Sequence, residues 1–364
     1  MRVLIAGGGT GGHLYPGIAV ARELLRRDGS TVVSFVGTAS GIEARIVPRE
    51  GFPLEVIRVA GLKRKSLIQR ARGCLLLPLA AIDAWRVISR RRPDVVIGVG
   101  GFASGPALGI AALRGVPTLV LEQNAVPGLT NRLLAPLVRA AAVNFQEALR
   151  YFPKTGFVAG NPVRSEFLSI TEANEAHDTP RHAARVLIVG GSQGAHAINV
   201  AMVEAAPRLA AAGVRVEITH QSGERDLDLV RVAYERAGLV ARVEAFLYEI
   251  HREMKAADLV ICRAGATTLA EVSASGRAAI LVPLPTATDD HQRRNAAVFA
   301  AAGAALVIDE RELDAERLAG AIAGLVGDRQ RREQMGHAAR RLARPDAAER
   351  IVDRIEVLGG RRAG

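Results

Sequence analysis

The fold is decided by the stretch Gly7-Gly8-Gly9-Thr10-Gly11-Gly12-His13-Leu14-Tyr15-Pro16-Gly17. The apolar run before it, residues 3–6, predicts a buried parallel strand, and residues 18–25 after it have helical periodicity. A strand, a glycine turn and a helix in this order bring backbone N–H groups and a helix dipole towards a phosphate. Glycine suits such a turn because a Cβ atom hinders close approach and positive φ angles. We therefore predict an anion-binding βα unit at this point.

The glycine spacing is compatible with two classes of ligand. The run from Gly7 to Gly12 satisfies the G-x-G-x-x-G pattern of dinucleotide-binding folds, which also requires an acidic residue after the second strand. The predicted second strand, residues 31–36, ends without one, and the first acid, Glu43, falls on the next predicted helix. A nicotinamide-dependent dehydrogenase is thus the weaker alternative. His13 favours a ligand site at the carboxyl edge of a parallel sheet over a solvated histidine at a helix start.

The composition indicates an α/β protein of two domains. The chain has 364 residues, of which 49% are hydrophobic and 37 are glycine, and strand-like runs alternate with helix-like runs. Cys74 and Cys262 lie outside any metal-type cluster, which favours reduced thiols in a cytosolic protein. The apolar run after Arg2 is too short for a signal peptide, and no stretch approaches the roughly 20 apolar residues of a membrane span.

The charge narrows the choice of partner. A formal net charge of +11 is compatible with nucleic acid, an anionic membrane or anionic substrates. Aromatic residues make up only 4% of the chain, which leaves little material for stacking on bases. We therefore expect no nucleic-acid partner, and a basic, non-enzymatic binding protein stays a minor alternative.

The second half repeats the scheme of the first half. Gly160-Asn161-Pro162-Val163-Arg164 reads as the joint between two domains, because Asn-Pro favours a turn. Residues 185–189 then predict a strand, and Gly190-Gly191-Ser192-Gln193-Gly194-Ala195 is a second glycine turn before a helix. We predict an α/β fold of two doubly wound, Rossmann-like domains facing each other across a cleft. Their bounds are residues 1–161, joined by a C-terminal helix at 345–364, and residues 162–344.

Several further elements are predicted along the chain. Residues 67–92 read as a long helix that Pro78 kinks or divides. Residues 140–144 and 156–159 read as edge strands. The apolar run around Trp85 is flanked by basic residues, a pattern that fits either a surface on anionic lipid or a core helix with charged ends.

Three polar groups of the second half are candidates for a site. Glu271 follows a turn of small residues, where it can accept the two hydroxyls of a ribose or simply favour the helix dipole. His291 reads rather as an exposed helix cap than as a ligand contact. Asp226 and Asp228 have Asp-x-Asp spacing but fall within a predicted helix, so we assign them to the solvated surface. No cluster has the spacing of a metal site.

Taken together, the motifs of the whole chain resemble those of the MurG family of bacterial glycosyltransferases. The matching stretches, in chain order, are residues 8–13 with Pro16-Gly17, Gly100-Gly101-Phe102 with Ser104-Gly105-Pro106, Glu122-Gln123-Asn124, residues 160–164, residues 190–195, residues 263–271, and Asp290-His291-Gln292 with Asn295-Ala296. Phe102 and Leu121 depart from the family pattern, which frequently has tyrosine and histidine there.

The resemblance implies a GT-B fold and a metal-independent, inverting transfer that needs no cofactor. N-acetylglucosamine would pass from UDP-N-acetylglucosamine to an undecaprenyl-diphosphate-linked muramyl-pentapeptide in peptidoglycan synthesis. It further implies a peripheral protein on the cytoplasmic face of the cell membrane, bound to an anionic membrane surface. Another GT-B glycosyltransferase with a different lipid acceptor is the alternative.

The resemblance also assigns residues. His13 is the candidate base, Glu271 takes the ribose, and the backbone near Leu247 meets the uracil. The donor-binding residues it implies are Thr10, Gly11, Gly12, Asn124, Arg164, Ser192, Leu247, Ala266, Thr267, Thr268, Leu269, Ala270, Glu271 and Gln292. The membrane-facing residues it implies are Leu75, Leu76, Leu79, Ile82 and Trp85.

Overall fold

A computed structural model describes residues 1–59, 67–168, 183–190 and 194–360, without the side chains of residues 67–75 and 288. The chain divides into two compact units. The first unit comprises Met1–Arg164 and Arg344–Gly364, and the second comprises Ser165–Ala343.

Each unit is built on one parallel sheet. The strands of the first unit are β1 (Arg2–Gly7), β2 (Val32–Gly37), β3 (Leu54–Val56), β4 (Val95–Gly100), β5 (Thr118–Glu122), β6 (Ala140–Val143) and β7 (Gly156–Val158), in the order β3-β2-β1-β4-β5-β6-β7. Those of the second unit are β8 (Ala184–Val189), β9 (Val216–Gln221), β10 (Val240–Glu244), β11 (Leu259–Cys262), β12 (Ala278–Leu281) and β13 (Ala305–Val307), in the order β10-β9-β8-β11-β12-β13. The strand order reverses between β1 and β4 and between β8 and β11, which are the points where ligands bind in such sheets.

Helices connect the strands. Those of the first unit are α1 (Gly11–Arg27), α2 (Glu43–Arg49), α3 (Leu67–Arg91), α4 (Ser104–Leu113) and α5 (Leu129–Leu134). Those of the second unit are α6 (Ser165–Leu168), α7 (His196–Ala211), α8 (Leu227–Ala237), α9 (Ile250–Ala256), α10 (Ala266–Ser275), α11 (His291–Ala301), α12 (Ala315–Gly327) and α13 (Arg329–Leu342), and α14 (Ala347–Leu358) returns to the first unit.

The core of the first unit lies on both faces of its sheet. The central strands are apolar throughout because helices cover both faces, and Leu4 and Ile5 are fully buried on opposite sides. α14 completes one of these faces by burying Ile351 and Ile355 beside α1. The Arg27 guanidinium of α1 donates to the Asp353 carboxylate (2.6 Å) and fixes the two helices together.

Three predicted elements differ from the structure. α1 begins at Gly11, ahead of the periodic residues 18–25, because its first turns already bury Leu14 and Pro16. α3 continues through Pro78, so the expected division of this helix was wrong. β6 pairs with both β5 and β7, so it is an interior strand whose alanines fit between covering layers on both faces. Of the two predicted edge strands, β7 alone lies at an edge.

Candidate functional site

Two glycine turns interlock at the carboxyl edge of the first sheet. The Gly8 N–H, after β1, donates to the Gly100 carbonyl at the end of β4 (3.1 Å). Gly101 has a φ of +83°, and a Cβ there would lie 2.3 Å from the Gly8 carbonyl oxygen. Larger residues are therefore excluded on both conformational and steric grounds. The two turns form one rigid edge at the point where the strand order reverses.

His13 is mounted on this edge by the first turn of α1. The Thr10 carbonyl accepts the His13 N–H (3.2 Å), and the Thr10 hydroxyl lies 3.2 Å from His13 Nδ1. The ring packs against Gly100, where a Cβ would approach Cδ2 to 2.6 Å and Nε2 to 2.9 Å. The half-buried imidazole is thus held through its backbone, through Nδ1 and through its packed face. Thr10 and Gly12 beside it are exposed, and Gly11 is half-buried.

A buried carboxylate lies beneath the first glycine turn. Glu43, the first residue of α2, accepts the Gly9 N–H (2.7 Å), the Thr38 N–H (2.9 Å) and the Thr38 hydroxyl (2.8 Å). Burial raises the pKa of Glu43, but these hydrogen bonds outweigh it and hold the pKa below its usual value. The carboxylate is therefore charged at neutral pH, and it is already bonded within the protein. It cannot serve as the ribose-binding acid of a dinucleotide site.

A second buried carboxylate orients the end of β5. Glu122 accepts the N–H and side-chain amide of Asn124 (3.0 and 3.2 Å), the Gly128 N–H (3.2 Å) and the Asn131 amide (2.8 Å). Burial raises the pKa of Glu122 to about 7, although all four hydrogen bonds lower it. Asn124 is thereby fixed at the carboxyl edge of the sheet. Gln123 donates to the Val99 carbonyl (3.0 Å) and ties this end to β4.

Arg164, at the end of the first unit, is held over an aromatic ring. Its guanidinium carbon lies 5.1 Å from the centroid of the Tyr15 ring on α1. This cation–π contact places a positive charge near the same helix that carries His13. The first unit thus brings His13, Thr10, Asn124 and Arg164 onto elements that meet at one edge of its sheet.

In the second unit, the predicted donor residues cluster after β11. Ala266, Thr267, Thr268, Leu269, Ala270 and Glu271 form the first turns of α10, whose N-cap is Gly265. The Asn295 amide donates to the Ala264 carbonyl (3.2 Å), which fixes the approach to this helix. Glu271 lies in the second turn and is 8% exposed. First-turn N–H groups and a carboxylate therefore lie on one short helix, a combination suited to a diphosphate and a diol.

Gln292 and Leu247, two more residues predicted to bind the UDP-sugar, each use one polar group in a hydrogen bond within the protein. The Gln292 Oε1 atom accepts the Leu284 N–H (3.0 Å), so the Nε2 amide is its remaining donor. The Leu247 N–H donates to Gln221 Oε1 (2.9 Å) in a buried position. Any uracil contact at this residue therefore falls to the Leu247 carbonyl. Ser192 lies outside the described residues.

The structure corrects the assignment of Asp226. This residue is buried and accepts His196 Nδ1–H (2.9 Å) and the Asn199 amide (2.8 Å), whereas the Asp228 side chain is 91% exposed as predicted. Burial raises the pKa of Asp226, but the bonds from His196 and Asn199 outweigh it and lower the pKa. The predicted helix begins only at Leu227, which leaves Asp226 as its N-cap residue, directed inward.

A chain of hydrogen bonds continues inward from Asp226. Asn199 Oδ1 accepts from His220 Nε2 (3.0 Å), and His220 Nδ1 accepts from the Tyr234 hydroxyl (2.8 Å). Asn199 also donates to the Ser222 carbonyl (2.8 Å). Burial lowers the pKa of His220 to about 3, so this imidazole is neutral. The network ties the first turn of α7 to β9 and α8 behind the second glycine turn.

The remaining candidates are His291, Cys262 and any group of side chains that could bind a metal. His291 is the first helical residue of α11, and Asp290 is the N-cap, so the expected histidine cap was wrong by one position. Cys262 is a free, buried thiol. Burial and the nearby charge of Glu271 raise its pKa to about 12. Within the described ranges, no group of three histidine, cysteine or carboxylate side chains could hold a metal ion.

Two parallel sheets, each opened by a strand, a glycine turn and a helix, define the GT-B class of glycosyltransferase fold. Residues 3–143 match the N-terminal domain of glycosyltransferase family 28, and residues 185–351 match the C-terminal domain of the same family. The chain therefore belongs to glycosyltransferase family 28.

Similar proteins cover the whole chain. Among them are proteins named UDP-N-acetylglucosamine–N-acetylmuramyl-(pentapeptide) pyrophosphoryl-undecaprenol N-acetylglucosamine transferase. The protein from Anaeromyxobacter dehalogenans (strain 2CP-C) is 47% identical over 366 residues, covering 100% of this chain and 94% of its own. The one from Geobacter sulfurreducens is 47% identical over 356 residues, covering 98% of each chain. The crystal structure of Acinetobacter baumannii MurG is similar with a TM-score of 0.79 at 32% identity, over 98% of this chain and 99% of that one.

Proposed function

We propose that this chain transfers N-acetylglucosamine from UDP-N-acetylglucosamine to N-acetylmuramyl-(pentapeptide) pyrophosphoryl-undecaprenol, a step of peptidoglycan synthesis. The observation that carries the proposal is the 47% identity to transferases of this name over the full chain. Matches to both domains of family 28 support it. The geometry of each unit supplies groups that the reaction requires.

The second unit supplies the donor site. The N–H groups of Ala266, Thr267 and Thr268 lie in the first turn of α10, at the positive end of the helix dipole, and suit the diphosphate. Glu271 accepts the two ribose hydroxyls, and the Leu247 carbonyl accepts the N3–H of uracil. Ser192 and the Nε2 amide of Gln292 add further donor contacts on this unit.

The first unit supplies the acceptor side. The muramyl 4-hydroxyl oxygen forms a bond to the anomeric carbon while the bond from that carbon to the UDP oxygen breaks. The hydroxyl proton passes to His13, and UDP leaves with the bonding electron pair, so the configuration at the anomeric carbon inverts. For His13 Nε2 to take the proton, Nδ1 must carry its own proton and donate to the Thr10 hydroxyl, which lies 3.2 Å away. Arg164 and Asn124, two of the implied donor-binding residues, bring positive charge and an amide donor of the first unit to the UDP-sugar.

The test is transfer of labelled N-acetylglucosamine from its UDP donor to the lipid-linked muramyl-pentapeptide with a chelator present. We expect product with inverted anomeric configuration. UDP binding without transfer would refute this acceptor and favour a different lipid acceptor. Absence of both would refute the donor site as well. Glu271→Gln should raise the KM for the donor more than it lowers kcat, since its contact is with the ribose.

We also infer that the chain acts as a peripheral protein at the cytoplasmic face of the membrane, where it meets anionic lipid. Along α3, Leu79, Ile82 and Trp85 are spaced three residues apart and are 36%, 45% and 51% exposed. Leu76 is half-buried, and the Leu75 side chain lies outside the described residues. The Arg114 guanidinium lies 4.6 Å over the Trp85 ring and donates to Ser89 (2.8 Å). Apolar side chains framed by arginines suit an anionic surface.

Sedimentation with vesicles containing anionic lipid tests this surface. No helix among the described residues has the length and apolar character needed to cross a bilayer. Ile82→Asp should abolish most of the binding. Val357→Asp, on the outer face of α14 with a similar exposure of 51%, is the control that should bind normally. Equal binding by both variants would contradict this surface.

A further inference from the structure

The interior of the first glycine turn is filled by an anion that belongs to the chain. Glu43 is 1% exposed, and three glycines enclose its side chain. A Cβ on Gly8, Gly37 or Gly41 would lie 2.2–2.4 Å from Glu43 atoms. The loops after β1 and after β2 therefore both carry glycine where a larger residue would overlap the Glu43 carboxylate.

The carboxylate uses the donors that such a turn usually offers to a ligand. In a strand, glycine turn and helix, backbone N–H groups converge on a phosphate. Here the Gly9 N–H points at Glu43 Oε2 (2.7 Å), and the Thr38 N–H and hydroxyl point at Oε1 (2.9 and 2.8 Å). The turn consequently has its shape before any substrate arrives.

The fixed turn leads directly to His13. Thr10 follows Gly9, its carbonyl accepts the His13 N–H (3.2 Å), and its hydroxyl contacts His13 Nδ1 (3.2 Å). A shift of Gly9 is therefore passed to Thr10 through one peptide bond and from Thr10 to the imidazole. The opposite face of the ring is closed by Gly100, so the ring cannot compensate by moving that way.

We propose that Glu43 is a positioning residue: an internal anion that takes the place of a phosphate in the first glycine turn and thereby sets Thr10 and His13. The proposal rests on the proposed function, in which His13 accepts the acceptor proton. The bonded Gly9 N–H is thereby withdrawn from the groups that a substrate phosphate could use.

Replacement and rescue by a small anion test the proposal. Glu43→Ala should lower kcat by about 10–100-fold, the cost of a reacting group misplaced by about 1 Å, and change the KM for the UDP donor much less than kcat. Acetate, which restores the atoms that the substitution removes, should return several-fold of the lost kcat. Glu43→Gln should lose kcat without rescue, because its side chain still fills the space.

Glu23→Ala is the matched control. Glu23 is also a buried carboxylate of the first unit, 9% exposed, with its pKa held below the usual value by Arg26 and Arg27 against the effect of burial. It lies near the far end of α1, away from the glycine turn. Its loss should lower the unfolding temperature with little change in kcat and no response to acetate. Equal kcat losses in both alanine variants, or no acetate response in Glu43→Ala, would overturn the proposal.

A readout without turnover separates this inference from the proposed function. The NMR resonance of the His13 ring, assigned by its absence in His13→Asn, should shift in Glu43→Ala and return towards its natural position with acetate. An unmoved His13 resonance overturns the positioning role even if transfer is observed. Suppose that the resonance moves in Glu43→Ala and is restored by acetate, but the natural chain does not transfer to this acceptor. The positioning role is then supported, and only the proposed acceptor is refuted.

Discussion

The two units open with the same predicted elements, yet the buried carboxylate near each opening bonds different groups. In the first unit, a carboxylate that follows the second strand, Glu43, bonds the backbone of the turn itself. In the second unit, the carboxylate in the corresponding place is Asp226. It accepts hydrogen bonds from the side chains of His196 and Asn199 on α7, the helix that follows the second glycine turn. Each carboxylate follows the second strand of its unit, β2 or β9. Both units therefore have a buried anion at this place, and the groups that donate to the anion are the ones it holds in position.

The largest effect should separate the histidines of the two openings. His13→Ala should lower kcat by roughly 10²–10⁴-fold if this imidazole is the base. His196→Ala should change kcat far less, because the bonds of His196 support α7 and the proposed reaction gives its ring no proton to accept. Steady-state transfer assays on the two folded variants measure both values. Near-normal turnover of His13→Ala would remove His13 from the mechanism.

The glycines of the two turns should also differ in their tolerance of a methyl group. Gly9 has a φ of +82° and open space around its Cβ position, so Gly9→Ala should cost only about 1–2 kcal/mol of conformational strain. Gly194 has a φ of +72°, and its Cβ would lie 2.3 Å from the Ser222 carbonyl oxygen. Gly194→Ala should therefore add about 1–3 kcal/mol of overpacking to the same strain. Urea unfolding measures both, and equal costs would contradict the close contact.

Glu122 should give the opposite pH dependence from the carboxylates of the two openings. Its pKa is about 7 in the folded protein, above the value of an unfolded glutamate, so the folded state binds more protons between pH 4.5 and 7. Stability contributed by this group therefore falls as the pH rises, by about 3 kcal/mol over that window. Glu43 and Asp226 have lowered pKa values, so their contribution is present at neutral pH and is lost on acidification.

The free energy of unfolding, measured against pH for the natural chain and for Glu122→Gln, tests this sign. The difference between the two curves should slope in the direction that favours the natural chain at low pH. Asp226→Asn should give a difference curve of the opposite slope. A flat difference curve for Glu122→Gln would show that the carboxyl has the same pKa in the folded and unfolded chain.

The smallest effect concerns the aspartates of the Asp-x-Asp motif. Asp226→Ala removes the acceptor of His196 Nδ1 and of the Asn199 amide and should cost about 1–3 kcal/mol of stability. Asp228→Ala, two residues away with a 91% exposed side chain, should stay within about 0.5 kcal/mol. Thermal unfolding of the two variants compares them directly, and equal losses would contradict the burial of Asp226.

The sequence predicted the sheets well and the carboxylates poorly, for one physical reason. Strands such as β4 are apolar on both faces, so each carries its own signal in a few consecutive residues. Glu43 acquires its role from the Gly9 N–H, 34 positions away, and Asp226 from Asn199, 27 positions away. No local pattern contains such a pair. The glycines at positions 37 and 41 are a local trace of this arrangement, because a Cβ at either position would collide with the Glu43 side chain.

The predicted site residues divide in the same way. His13, Asn124 and the α10 residues stand on turns and helix starts, which the glycine and strand patterns locate. Their orientation depends on Thr10, Glu122 and Asn295, whose bonds arise only when the strands assemble. The use of the Leu247 N–H by Gln221 could not be read from sequence, because it joins the ends of two neighbouring strands.

The return of α14 to the first unit has a consequence for synthesis on the ribosome. Ile351 and Ile355 belong to the core beside α1, although the whole second unit is translated between these segments. At about 5–20 residues per second, the ribosome needs about 10–40 seconds to travel from residue 164 to residue 351. During that interval the nascent first unit exposes the apolar surface that α14 will later cover, while the second unit, which is continuous in sequence, can fold. The unit that begins first is therefore finished last, and that interval is when chaperones have an apolar surface to protect.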